Sequence, residues 1–231
     1  MTIKTKRYFL TAAFLFLLVL PFVVVLSATS QFFSSESALI VLNVFQRISG
    51  LMALTLIFTQ IIPGAFLSKW VQIIGSKAYK FHITLGLLSY GFILIHPFLN
   101  SLLTLQITGS FGAVLADIFV GAKSQHDLLQ IYGKFALILL TIGVGAGYFR
   151  TKLFFRKNWK VFHIVNYLAF ILVAIHSKGL GSDINSFPYS YLYWIFVFFV
   201  FLTLVYKLIH VVRGYLHKAS GLGKSKIENI N

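Results

Sequence analysis

The chain has 231 residues, of which 58% are hydrophobic and 11% charged, with a formal net charge of +15 and no cysteine. Soluble domains carry about 25% charged residues, so this composition and a mean hydropathy of +0.86 point to a polytopic membrane protein rather than a soluble enzyme. The lack of thiols excludes disulfides, iron–sulfur clusters and thiolate haem ligation, and the basic residues sit in short loops between apolar runs, where positive-inside sorting explains them without a nucleic-acid partner.

Residues 8–28 form the first apolar segment, preceded by Lys4, Lys6 and Arg7, which places the amino terminus in the cytoplasm. Leu26-Ser27-Ala28 loosely resembles a signal-peptide cleavage site. The apolar run nevertheless exceeds the usual ~7–15-residue signal core, so a retained membrane helix is expected. A short Ser-rich loop, 29–37, follows on the outer side. The second segment, 38–62, contains Arg47 and ends at Pro63-Gly64. The loop 65–81, with Lys69, Lys77 and Lys80, returns to the inside. The third segment is 82–99. A longer outer loop, 100–127, carries Asp117, Lys123, His126 and Asp127, and its apolar part 111–120 reads as a short interfacial or re-entrant helix.

The fourth segment, 128–149, leads into the most basic loop, RTKLFFRKNWK, with Arg150, Lys152, Arg156, Lys157 and Lys160. The fifth segment, 161–180, and the sixth, 189–212, are joined by an outer turn holding Asp183. A basic cytoplasmic tail, 213–231, completes the chain. The expected fold is an all-α bundle of six membrane helices in one domain, with both termini cytoplasmic, in the cytoplasmic or plasma membrane. Of the 20 Lys and Arg residues, only Arg47, Lys123, Lys134 and Lys178 then lie outside, whereas Glu36, Asp117, Asp127 and Asp183 all do. Trp70, Trp159, Tyr189, Tyr193 and Trp194 are expected at the interfaces as an aromatic belt.

Two apolar segments each carry a histidine near either end: His82 and His96 in the third, His163 and His176 in the fifth. Ionisable groups within membrane segments are expensive and mark functional sites. The first pair is separated by 14 positions, about 21 Å along a helix axis and within about 40° of one face; the second, by 13, about 20 Å with an offset of about 140°. Both helices run from inside to outside. Pairing by depth gives an inner site, His82 with His163, and an outer site, His96 with His176. Neutral imidazoles bind zinc, copper or iron. Two of them on facing helices with no carboxylate or thiolate nearby fit a six-coordinate b-type haem best, whereas structural zinc needs four ligands in one place. Gly86 and Gly91 lie between His82 and His96 and leave room for a macrocycle. Gly143, Gly145 and Gly147 read as close helix packing, since no strand precedes them to make a nucleotide loop. His126 is a weak candidate for a metal or substrate contact, and His210 and His217 read as ordinary interfacial residues.

H-x13-H in the third helix, H-x12-H in the fifth, the lead-in NWKVFHIVNYLAFILVAIH and the stretch RISGLMALTL together resemble the ferric reductase transmembrane domain superfamily, which includes ferric reductases and NADPH oxidases. The resemblance spans residues 38–212. It implies two stacked b haems, with electrons passing from a cytoplasmic-side donor to an extracytoplasmic acceptor such as ferric iron or oxygen. It also implies a role for Arg47 at a propionate of the outer haem or beside the acceptor. The oxidase branch has a further histidine one turn after the outer ligand; here that position is Asn100, which weakens superoxide production as a reading. No Rossmann-like stretch is present, so the donor is expected to be a separate flavoprotein reductase or a membrane quinol, and the loop 150–160 beside His163 is a candidate docking surface. The alternative is an electron-transfer subunit that serves a partner protein, as the haem membrane subunit of bacterial methionine sulfoxide reductase systems does.

Overall fold

The computed structural model describes residues 2–30, 37–119 and 121–228. Its elements are α1 (Ile3–Thr29), α2 (Ala38–Ala65), α3 (Leu67–Ile74), α4 (Lys77–Thr108), α5 (Phe111–Ile118), α6 (Gln125–Tyr148), α7 (Leu153–Leu180), a 3-10 turn (Asp183–Asn185) and α8 (Tyr189–Glu228). No strand occurs among the described residues. Six of the helices are long and apolar enough to cross a membrane. By length and composition this is a multi-pass membrane protein. Its outward faces carry large exposed apolar side chains such as Phe98, Ile107, Phe135 and Phe201.

Local chemistry sets the boundaries. Thr2 caps α1 by accepting from the Thr5 N–H at 3.2 Å. Ser124 and Asp127 form a reciprocal capping box that starts α6. Gly75 (φ 72°) ends α3 and Gly109 (φ 62°) ends α4, both in backbone conformations that glycine adopts without a Cβ penalty. Lys207 on α8 donates to the Ala65 carbonyl at the end of α2, where a cation also meets the negative end of the helix dipole.

α2 is the central helix. It packs against α1, α3, α4, α7 and α8, and its residues Leu51–Ile57 are all buried. Leu54, Leu56, Phe170 and Phe196 anchor the core, and Phe58 stacks on Phe196 with ring centroids 4.1 Å apart. Where no water is available, side-chain hydroxyls find partners across helices: the Tyr189 and Thr55 hydroxyls lie 2.9 Å apart, and Tyr193 donates to the Ala174 carbonyl at 3.1 Å. Both tyrosines are buried. They turn inward instead of joining an outward-facing aromatic belt.

Several boundaries differ from the sequence expectation. The third segment begins five residues before His82 and continues to Thr108, because 100–108 contains neither Gly nor Pro; the first helix breaker is Gly109. The loop expected at 100–127 therefore shrinks, and α5 occupies the place expected for a short helix. α3, in the loop 65–81, was not anticipated: with eight residues it is too short for a strong periodic signal. α7 starts at Leu153, inside the basic loop, and α8 carries the helix through the tail to Glu228. Most of the Ser-rich loop (31–36, with Glu36) and residues 229–231 of the tail lie outside the described residues.

Candidate functional site

Four histidines stand at two levels between α4 and α7. His82 faces His163 with ring centroids 6.3 Å apart and planes at 79°. His96 faces His176 at 6.4 Å and 82°. α7 is continuous from Leu153 to Leu180 and carries both His163 and His176. α4 and α7 do not pack closely on each other. The tight neighbours are α2 with α4 and α6 with α7. Two antiparallel helix pairs thus meet across a seam that the imidazoles occupy.

Each ring is backed by a glycine on the neighbouring helix of its own pair. A Cβ added at Gly50 would lie 2.8 Å from His96 Cε1, and one at Gly64 the same distance from His82 Cε1. On α6, a Cβ at Gly133 would lie 2.8 Å from His176 Nδ1, and one at Gly147 would lie 3.5 Å from His163 Nδ1. Without a side chain at these positions, the ring lies directly on helix backbone. That brings ring nitrogens to carbonyls four residues before three of the glycines. His96 Nδ1 is 3.0 Å from the Gln46 carbonyl, His176 Nδ1 is 2.9 Å from that of Leu129, and His163 Nδ1 is 3.2 Å from that of Gly143. A carbonyl only accepts, so Nδ1 of His96 and of His176 carries the proton and Nε2 keeps its lone pair, the tautomer that a metal-ligating histidine adopts, whereas His163 Nδ1 lies between the Gly143 carbonyl and the Asn166 amide nitrogen, 3.3 Å away. His82 Nδ1 is buried with no partner.

The spacing fits a bound metal. Two metal–nitrogen bonds of about 2.0 Å, with about 1.2 Å from each ring centre to its nitrogen, put coaxial imidazole centres about 6.4 Å apart. No group of three or more His, Asp or Glu side chains that could hold an ion comes together among the described residues. Each level therefore offers two protein ligands, which suits a metal that brings its other ligands with it, as porphyrin iron does. The seam between α4 and α7 is where a macrocycle would lie, and a Cβ at Gly91, between the two levels on α4, would meet nothing within 4 Å. Gly86 faces the Gln60 amide instead.

Arg47 makes a two-pronged ion pair with Asp183: Nε donates to Oδ2 at 2.8 Å, and Nη2 donates to Oδ1. Asp183 is 4% exposed. The partner in the structure is thus a carboxylate of the 3-10 turn, where the sequence reading had favoured a haem propionate or the acceptor. Arg47 follows Gln46, whose carbonyl holds His96, and it also lines an open cleft of about 280 Å³ with Thr29, Asn43 and apolar side chains of α2 and α4. Asn100 donates to Asp117 at 3.2 Å, and Lys134 donates to the Asp117 carbonyl, tying α4, α5 and α6 together at this end. Lys178 donates to Asn185 at 2.6 Å. His126 is exposed at the start of α6, three residues before Leu129. His210 stacks on Tyr206 at 5.9 Å. Gly143 accommodates the Asn166 amide and Gly147 the His163 ring, while Gly145 faces open space, so two of the three glycines expected to serve packing do so.

Of the backing glycines only Gly147 is read from the sequence as a packing residue, though the spacing of all four carries a signal. Gly50 to Gly64 and Gly133 to Gly147 each span 14 positions, the same interval as His82 to His96. Asp183 as the partner of Arg47 had no local signal, since 136 positions separate them. No protein-family model, curated protein or solved structure matches the chain.

Proposed function

We propose that the protein carries electrons across a membrane through two b-type haems, one held by His82 and His163 and the other by His96 and His176, in the manner of the ferric reductase membrane domains its sequence resembles. The observation that carries this reading is the pair of facing imidazole couples, 6.3 and 6.4 Å between ring centres, with Nδ1 of His96 and of His176 each held by a backbone carbonyl. When bound, haem supplies a one-electron couple at each level. The glycine backing fixes ring position, and the carbonyls fix the tautomer and raise imidazole basicity.

Charge sorting orients the path. Asp117, Asp127, Asp183 and the paired Arg47, Lys134 and Lys178 gather at the His96/His176 end, whereas Lys69, Arg150, Lys152, Arg156 and Lys157 belong to the segments at the other. Positive-inside sorting puts the second group and both termini in the cytoplasm. Electrons then arrive at the His82/His163 level from a flavoprotein or a membrane quinol and leave at the His96/His176 level. The open cleft lined by Arg47 and Asn43, which flank the Gln46 that holds His96, is a candidate place for a small acceptor such as chelated ferric iron or oxygen, and we favour a reductase over a subunit that hands electrons to a partner protein.

The test is a reduced-minus-oxidised spectrum of the purified protein, which should show about two b haems per chain. His82→Ala and His163→Ala should abolish the same spectral component, and His96→Ala and His176→Ala the other. Losses that cross these pairs, or a wild-type protein without haem, would refute the proposal.

A further inference from the structure

Asn166 lies on α7 one turn after His163, within an apolar span where an unsatisfied amide is costly. Its Nδ2 is 3.3 Å from His163 Nδ1, and its Oδ1 is buried without a hydrogen-bond partner among the described residues. The amide fills the space in front of Gly143 on α6. A Cβ added there would lie 1.9 Å from Oδ1, 2.6 Å from Cγ and 2.9 Å from Nδ2, so a side chain at 143 would expel it. The same glycine turns its carbonyl to the ring, 3.2 Å from His163 Nδ1. Gly143 thus serves His163 twice, through its carbonyl and through its missing side chain.

His163 is also the ring that its glycine backs least closely. The Cβ position at Gly147 is 3.5 Å from its nearest ring atom, against 2.8 Å at Gly50, Gly64 and Gly133. The carbonyl contact of 3.2 Å is longer than the 3.0 and 2.9 Å at His96 and His176. Two partners therefore converge on one Nδ1, and they make opposite demands on it. A carbonyl accepts the Nδ1 proton, whereas an amide nitrogen donates to an Nδ1 that has none. A side-chain amide, unlike a backbone carbonyl, can change sides: half a turn about Cβ–Cγ exchanges NH2 and O, which are nearly equal in size. With Nε2 on a metal, a neutral ring carries its proton on Nδ1. The turned amide then presents Oδ1, the atom otherwise without a partner, at the place 3.3 Å from Nδ1.

We propose that Asn166 is the positioning residue of His163: lodged against Gly143, its side-chain amide shares the Nδ1 proton with the Gly143 carbonyl and keeps Nε2 turned to the metal. The inference rests on the haem reading above. An acceptor at Nδ1 makes the imidazole more basic and favours the oxidised metal. At His96 and His176 that acceptor is a backbone carbonyl, which no substitution removes directly. At His163 a side chain contributes, so residue 166 sets the potential of the His82/His163 level apart from that of the other.

The experiment is a redox titration and a thermal melt of the purified, haem-loaded protein, of Asn166→Ala, of Gly143→Ala and of the double variant. Asn166→Ala should raise the midpoint potential of the haem lost in His163→Ala by about 59 mV, a tenfold change in the redox equilibrium of a one-electron couple. The other haem should not move. Gly143→Ala should raise the same potential, because its methyl carbon takes the place of the amide, and should lower the melting temperature. In the double variant the methyl meets no amide, so the melting temperature should recover while the potential stays raised. A change in melting temperature without a change in potential would mean that the amide only packs α7 on α6, and would overturn the assignment. A fall in potential, or equal shifts at both haems, would overturn it too, and each of these results leaves the two-haem reading intact. A wild-type protein without haem would overturn both.

Discussion

Gly50→Ala tests the glycine backing most directly. The new methyl carbon would sit 2.8 Å from His96 Cε1 and 3.0 Å from Nδ1. Comfortable contacts between such atoms begin at about 3.5 Å, so the ring must retreat by about 0.5–1 Å. The bond from Nδ1 to the Gln46 carbonyl is 3.0 Å long, and a retreat of that size takes it out of the ~2.7–3.2 Å range of an effective N–H···O bond. Overpacking of this kind costs about 1–3 kcal/mol, against about 1 kcal/mol gained from replacing a mid-helix glycine with alanine. The net expectation is a loss of up to about 2 kcal/mol in stability and a haem at the His96/His176 level bound some 10–100-fold more weakly. Gly147→Ala is the matched comparison. Its Cβ would lie 3.5 Å from His163 Nδ1, an ordinary contact, so both haems should remain and the melting temperature should rise. Haem content per chain and thermal unfolding in detergent report both quantities. If Gly50→Ala keeps both haems at unshifted potentials, or Gly147→Ala loses one as readily, the glycines do not support the rings as described.

Arg47→Leu should destabilise the protein by about 3–5 kcal/mol, because it strands the Asp183 carboxylate without its partner, and that carboxylate is only 5% exposed. Arg47→Met combined with Asp183→Leu should recover most of the loss; a thermal melt showing the double variant no better than the single would refute the ion-pair account. Orientation is open to direct measurement because the chain has no cysteine. In intact cells a membrane-impermeant maleimide should label Lys123→Cys and spare Lys69→Cys, and the reverse pattern would invert the proposed direction of electron flow.

Much of the architecture was legible in the sequence because apolar length is a coarse, redundant signal. Every one of the six long helices covers most of its expected segment. Their ends were less legible. Nothing in 100–108 distinguishes helix from loop until Gly109 appears, and α3 offers too few turns for its periodicity to stand out. The four histidines were legible as candidates because charge-capable residues are rare in apolar runs, and equal spacing linked them by depth. What surrounds them was not. The acceptors for His96 and His176 are backbone carbonyls of Gln46 and Leu129, and a carbonyl leaves no mark in a sequence. Asp183 read as a loop acid, since only folding brings it from the far side of α7 to Arg47 on α2. Tyr189 and Tyr193 read as interfacial because their composition and position match an aromatic belt; the buried hydroxyl of Thr55 and the carbonyl of Ala174 draw them inward.

The seam between the two helix pairs has a consequence for how the protein is made. α2 with α4, and α6 with α7, are close-packed couples, whereas α4 and α7 confront each other through imidazole rings. If the proposed cofactors occupy that seam, each is a rivet through ligands from both halves, and binding to the joined form alone stabilises it by RT ln(1 + [L]/Kd), about 4 kcal/mol at a thousandfold excess over Kd. Assembly in the bilayer would then be gated by haem supply. Cells starved of haem would leave the halves joined only by the packing of α2 on α7 and α8 and of α4 on α6, so the abundance of the protein would itself follow the cell's haem status.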